Sequence, residues 1–285
     1  MLSINLWRPV VSKLCFASLL CLIAAIPGPS HASMSQSLSE ATSYKIYYDP
    51  PNKRILTEMQ RYDVVILEPL FYTSEQIDTI RQSGTLVYGY INVLEADRWN
   101  TAFINRLEES DFFHRNGKRV YYEEWDSYLT DIASTHYQEV LLEEVNEQIV
   151  SKGIDGAFLD TVGNIDNEHG QQVELLEQQR EGLRLFLQQI KEQHPTLSLI
   201  QNWGFQTLKT TTYPYVDGIM WENFHYASVS NDEWSQERIK DLTALQDKQD
   251  ITVLTVSMEE EHESRSYANS LGFTHFHTSE GYNSW

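Results

Sequence analysis

A (β/α)8 barrel in a single domain is the fold class this sequence predicts, and three observations point to it. Eight short apolar runs rich in β-branched and aromatic residues recur along the chain, and longer segments of helical spacing separate them. Regular alternation of this kind makes parallel β/α units. Eight such units in about 250 residues suit a closed barrel, with an open doubly wound sheet as the alternative.

The elements follow in order. Arg8 and Lys13 precede an apolar run from Leu14 to Ile26 and a small-residue site at Ser30-His31-Ala32, the pattern of a secretory signal peptide over residues 1–32. The run is too short to span a bilayer, and no later stretch reaches the roughly 20 apolar residues a membrane helix needs. A lipoprotein would carry a small residue before Cys21, where Leu20 stands. The expected mature chain is a secreted or periplasmic barrel of residues 33–285 with no membrane insertion.

Its strands are read at Tyr44 to Tyr48, Asp63 to Glu68, Thr85 to Asn92, Asp155 to Asp160, Leu197 to Asn202, Val216 to Glu222, Ile251 to Val256 and Phe273 to His277. The clearest helices are Ala133 to Ser151, Gln171 to Gln193 and Asp232 to Asp247. The long stretch from Leu94 to Thr130 reads as an insertion that shapes a cleft. No linker rich in Gly, Pro or Ser interrupts the mature chain.

Composition narrows the chemistry. Both cysteines, Cys15 and Cys21, fall in the leader, which leaves the mature chain no thiol for a disulfide, a thiolate metal site or a covalent intermediate. The net charge is −20, and loss of Arg8 and Lys13 with the leader makes it −22. Such a field disfavours nucleic acid and anionic membrane as partners and favours a cationic or neutral substrate; an acidic surface kept for solubility is the simpler alternative.

Three strands repeat one phrase, an Asp that opens and a carboxylate that closes five residues later. They are Asp63-Val-Val-Ile-Leu-Glu68, Asp155-Gly-Ala-Phe-Leu-Asp160 and Asp217-Gly-Ile-Met-Trp-Glu222. In a barrel, alternate strands share an interior layer, so Glu68, Asp160 and Glu222 are expected on one ring at the top, with His277 completing it. Like charges gathered at a barrel mouth cost stability. Paired carboxylates in a cleft are what glycosidic cleavage requires, one to protonate the leaving oxygen and one to attack or stabilise the sugar cation. A helix cap or a loop salt bridge is the plain alternative for any one of them, and Glu68, followed by Pro69, reads equally as a turn residue.

Tyr88, Tyr90, Trp99, Trp125, Trp203, Trp221 and Phe224 lie near the same strand ends, as stacking faces for sugars or as core. Asn92, Asn202 and Asn223 offer neutral hydrogen bonds or helix caps. His275 and His277, two apart, could face one metal, but no further ligands can be placed, so neither metal nor cofactor is expected. Phosphate loops and a G-x-S-x-G elbow are absent.

The motifs Tyr47-Tyr48-Asp49-Pro50-Pro51, Tyr62 to Pro69, Gly89-Tyr90-Ile91-Asn92-Val93-Leu94-Glu95, Gly153 to Thr161 and Val216 to Glu222 resemble glycoside hydrolase family 114. Its members are the endo-α-1,4-polygalactosaminidases and the hydrolase domain of the Pel exopolysaccharide system. The resemblance covers nearly all the mature chain. It implies a TIM-like barrel and retaining, endo-acting cleavage of α-1,4-linked galactosamine or N-acetylgalactosamine polymers, with Asp160 as nucleophile and Glu222 as general acid/base. Tyr48, Asp49, Glu68, Tyr90, Asn92, Glu95, Trp99, Asn202, Trp203, Trp221 and His277 are then the expected substrate contacts, and a monomer the expected form. Where many relatives have a Gly before the acid matching Glu95, this chain has Leu94. A catalytically silent carbohydrate-binding barrel is the rival reading.

Overall fold

The computed structural model describes residues 37–285. Residues 1–32, read above as a signal peptide and holding Cys15 and Cys21, lie outside the described residues. Eight parallel strands follow one another around a nearly closed barrel: β1 Tyr44–Tyr47, β2 Val64–Leu67, β3 Leu86–Asn92, β4 Gly156–Asp160, β5 Ser198–Asn202, β6 Gly218–Trp221, β7 Thr252–Ser257 and β8 Thr274–His277. Each falls within, or one residue beyond, its run in the sequence. At the seam between β8 and β1, the rings of Phe276 and Tyr44 meet at 5.6 Å and Thr274 Oγ1 donates to the Ala41 carbonyl at 2.9 Å.

Period-2 alternation sets which side chains fill the barrel. In every strand the even-numbered positions face inward, with Tyr44, Ile46, Val64, Ile66, Tyr88, Phe158, Ile200, Met220, Leu254, Val256 and Phe276 forming the barrel core. Odd-numbered positions such as Val65, Val87, Leu159, Leu199, Ile219 and Val253 pack against the helices. Burying each such side chain contributes about 1.5–3 kcal/mol. Gly156 makes room at the floor, because a Cβ there would meet the Tyr88 ring at 2.3 Å.

The opening aspartates of the repeated phrase sit at the bottom and satisfy neighbouring strands. Asp155 accepts from Val87 N at 2.9 Å and Asp217 from Leu199 N at 2.8 Å. The phrase thus joins a structural acid at one face to an inward acid at the other.

Helices return the chain outside the barrel. They include α1 Lys53–Met59, α2 Ser74–Arg81, α3 Thr135–Glu144 continued by a π turn to Val150, α4 Gly163–His169, α5 Val173–Gln193, α6 Glu233–Gln249 and α7 Glu261–Ser270. Side-chain caps start several, as Asn52 does for α1, Ser134 for α3 and Asp232 for α6. The insertion after β3 folds on itself: Glu95–Asp97, Tyr121–Tyr122 and Ser127–Leu129 form an antiparallel sheet, beside a small hairpin of His114–Arg115 and Lys118–Arg119. Among the described residues no helix is long and apolar enough to cross a membrane.

Candidate active site

Because the inward parity continues past the core, the last inward residue of β3 to β5, and the residue just after β1, β2 and β6, project into one space at the top. These are Asn92, Asp160, Asn202, Tyr48, Glu68 and Glu222, and all six line a cleft of about 860 Å³. Register places Asn92 directly beside Asp160. Asp49, Tyr90, Glu95, Trp99 and Trp203 line it too, as do Asp97 and Trp125 from the insertion. Six carboxylates and, among the described lining residues, no lysine, arginine or histidine make it strongly acidic.

Asn202 ties the two central acids together. Its Nδ2 donates one hydrogen to Asp160 Oδ1 at 2.7 Å and the other to Glu222 Oε2 at 3.1 Å. Straight bonds of these lengths at the ~120° spread of an amide's two N–H groups correspond to acceptor oxygens about 5 Å apart. Asp160 Oδ1 also accepts from Thr161 N at 2.7 Å, and Glu222 Oε1 accepts from the Tyr282 hydroxyl. Burial, and then the charge of Asp160, raise the Glu222 carboxyl above its ordinary value, although both hydrogen bonds work against the rise.

A second acidic group lies beside the pair. Glu68 caps the turn Pro69–Phe71 by accepting from Leu70 N at 3.1 Å, and burial pushes it up to about 7. Its turn role and its place in the cleft coexist. Asp97 is pushed up to about 6, also by burial, and accepts from Asn92 Nδ2 at 3.2 Å. Burial raises the Glu95 carboxyl above its ordinary value, against the hydrogen bonds it accepts from Ser127 Oγ and from Asn164 Nδ2 at 2.7 Å.

Three consecutive site residues are each followed by a residue in left-handed backbone: Thr161 at φ 63°, Trp203 at φ 55° and Asn223 at φ 59°. For a β-branched or bulky residue this conformation is costly, roughly 1–3 kcal/mol, and such strain gathers at functional sites. Local bonds hold Thr161 there, since its hydroxyl donates to Asn92 Oδ1 at 2.7 Å and accepts from Leu94 N at 2.8 Å.

Two expected contacts are corrected. Trp221 is only 2% exposed and packs outside the barrel against Phe205, Phe224 and Trp234. The alternation that turns Glu222 inward turns its neighbour outward. His277 likewise sits at an odd position and bonds Ser257 Oγ through Nδ1 at 2.9 Å. The inward residue of β8 is Phe276. His275, its suggested metal partner, has both ring nitrogens on β7 hydroxyls, Thr255 at 2.9 Å and Ser257 at 3.0 Å. Tyr88 and Phe224 are core, Trp99 and Trp125 are exposed at the rim, and Asn223 lines the cleft. Sequence reasoning missed Asp97, Asn164 and Tyr282. The signal available for Tyr282 was topological, because the segment after β8 must begin at the same face as the other strand ends.

The sequence profile of hypothetical glycosyl hydrolase family 15 matches residues 75–279, a span that runs from α2 past β8 and holds both central acids. The chain belongs to hypothetical glycosyl hydrolase family 15. This agrees with the likeness to glycoside hydrolase family 114 read from the motifs. No curated protein sequence matches. Among solved structures, the glycoside hydrolase domain of PelA from Pseudomonas aeruginosa is similar at 20% identity and a TM-score of 0.69, covering 86% of this chain and 97% of that one. Ega3 of Aspergillus fumigatus, solved in complex with galactosamine, is similar at 12% identity and a TM-score of 0.62, covering 86% and 94%. The α-galactosidase TtGalA of Thermus thermophilus, in complex with stachyose, has 12% identity and a TM-score of 0.56, covering 86% and 63%. At these identities the likeness is one of fold. The barrel of this hypothetical glycosyl hydrolase therefore has the architecture of those glycosidases, and its cleft opens at the strand ends where barrel enzymes carry their sites.

Proposed function

We propose that this chain is an exported, endo-acting and retaining glycosidase that cleaves α-1,4-linked galactosamine or N-acetylgalactosamine polymers. The observation that carries the reading is the amide of Asn202 bonded to both Asp160 and Glu222. Acceptor oxygens about 5 Å apart support a retaining pair, for which about 5–5.5 Å between carboxyl groups is usual, over an inverting pair at roughly 6.5–9.5 Å.

Asp160 is the nucleophile and Glu222 the general acid/base. Its raised affinity for a proton lets Glu222 protonate the leaving oxygen as the glycosidic bond breaks, while Asp160 bonds to the anomeric carbon. Glu222, now a carboxylate, then takes a proton from the water that hydrolyses the glycosyl ester. Trp99, Trp125 and Trp203 offer ring faces to sugars along the cleft, and its unbroken acidity favours a polymer with free amines. The galactosamine bound to Ega3 supports that substrate class. The charged and apolar stretches of residues 1–32 support export.

The test is incubation with α-1,4-galactosaminan of defined acetylation, following released oligosaccharides by mass spectrometry and the first product's anomer by NMR. The expected outcome is α-configured oligomers of mixed length from the wild type. Asp160→Asn and Glu222→Gln should bind polymer but turn it over about a hundred- to ten-thousandfold more slowly. Binding without turnover in all three proteins would leave a carbohydrate-binding barrel.

A further inference from the structure

We infer that Tyr282, carried by the segment after β8, is a positioning residue that fixes the acidic proton of Glu222 on Oε2. The inference rests on the acid/base role proposed for Glu222 and adds to it a residue beyond the span matched by the family profile.

Residues 278–285 turn back over β1. Thr278 N bonds the Ser257 carbonyl at 3.1 Å, Tyr48 N donates to the Tyr282 carbonyl at 2.9 Å, and Lys45 Nζ donates to the Ser284 carbonyl at 3.2 Å. Trp285 anchors the far end. Its ring packs edge-on against Tyr47 at 5.4 Å and Tyr62 at 6.1 Å, Lys45 Nζ lies 5.2 Å from it, and its indole N–H donates to Glu58. The Tyr282 ring rests edge-on against Tyr48 at 5.6 Å, and its hydroxyl donates to Glu222 Oε1.

The two oxygens of Glu222 are thereby unequal. Oε1 takes the Tyr282 hydroxyl, while Oε2 shares the Asn202 amide with Asp160 and so lies on the nucleophile's side. Both oxygens accept a hydrogen bond, but the phenol hydroxyl on Oε1 is the more acidic donor and the amide on Oε2, at 3.1 Å, the weaker one, so the proton resides on Oε2. When it passes to the leaving oxygen, the Tyr282 bond persists to a carboxylate and stabilises it. The other titratable groups facing Glu222 are Asp160 from β4, Tyr44 from β1 and Tyr48 just after it, each influenced by its charge or influencing it. None of the three supplies a bond to Oε1.

The experiment compares wild type, Tyr282→Phe and Glu222→Gln on galactosaminan and on an aryl α-galactosaminide, whose leaving group needs little protonation. Tyr282→Phe should lower kcat/KM on the polymer by about tenfold or more, the scale of a hydrogen bond to a charged group. The loss on the aryl substrate should be several-fold smaller. The sign of the pH effect follows from the donor: removing it destabilises the carboxylate, so the alkaline limb of the kcat/KM profile, set by the acid's deprotonation, moves to higher pH. Equal losses on both substrates with an unmoved limb would overturn the inference and leave Tyr282 a structural contact. Full polymer turnover by Glu222→Gln would instead remove the acid/base role on which it rests.

Discussion

At the scale of single residues, burial governs the behaviour of the carboxyls around the cleft. Glu68 is raised from 4.5 to about 7 and Asp97 from 3.8 to about 6. Between the unfolded and folded values the native state holds protons that the unfolded chain has released. Their contribution to stability is therefore present below pH 4 and is lost as pH rises toward 7, the reverse of an ion-paired acid. Glu68→Gln should flatten this dependence. Between pH 4.5 and 7 the wild type is expected to lose up to about 3 kcal/mol relative to the variant, read by denaturant unfolding at the two pH values. Parallel pH profiles for the two proteins would show that Glu68 does not titrate as described. The same scale explains why Trp221 was misread: aromatic identity suggested a sugar platform, whereas its odd position, visible in the sequence beside Glu222, already directed it outward.

At the scale of elements, the ends of β4, β5 and β6 are coupled through close contacts. Helix α4 begins at Gly163, where a Cβ would stand 2.9 Å from the Trp203 Cβ. Trp203 itself is held in left-handed backbone and stacks at 6.3 Å on Trp234 of α6. Gly163→Ala should push Trp203 from its place, destabilising the fold by about 1–3 kcal/mol and weakening oligosaccharide binding, as measured by thermal unfolding and calorimetric titration. Unchanged affinity with an altered Tm would separate the packing role of Trp203 from any part in binding. The insertion from Leu94 to Thr130 was legible as an insertion because no strand pattern accounts for its length. Its contribution of Asp97, Trp99 and Trp125 to the lining depended on an antiparallel sheet whose two-residue and three-residue strands carry too little periodicity to read.

For the whole molecule, the net charge of −20 and a cleft without basic lining act together on any charged polymer. Raising ionic strength from 50 to 500 mM should increase KM several-fold for a largely deacetylated galactosaminan and leave that for the fully acetylated polymer nearly constant. Equal salt sensitivity for both would count against electrostatic recruitment. By itself the sequence determined the eight strands, their parallel order and the inward direction of Glu68, Asp160 and Glu222. These follow from local periodicity and from the few ways in which successive β/α units close on themselves. Only the tertiary structure decided that Asn202 bridges Asp160 and Glu222 and that Tyr282 reaches Glu222. Those facts depend on register between strands and on contacts between residues tens to hundreds of positions apart, which no local pattern encodes.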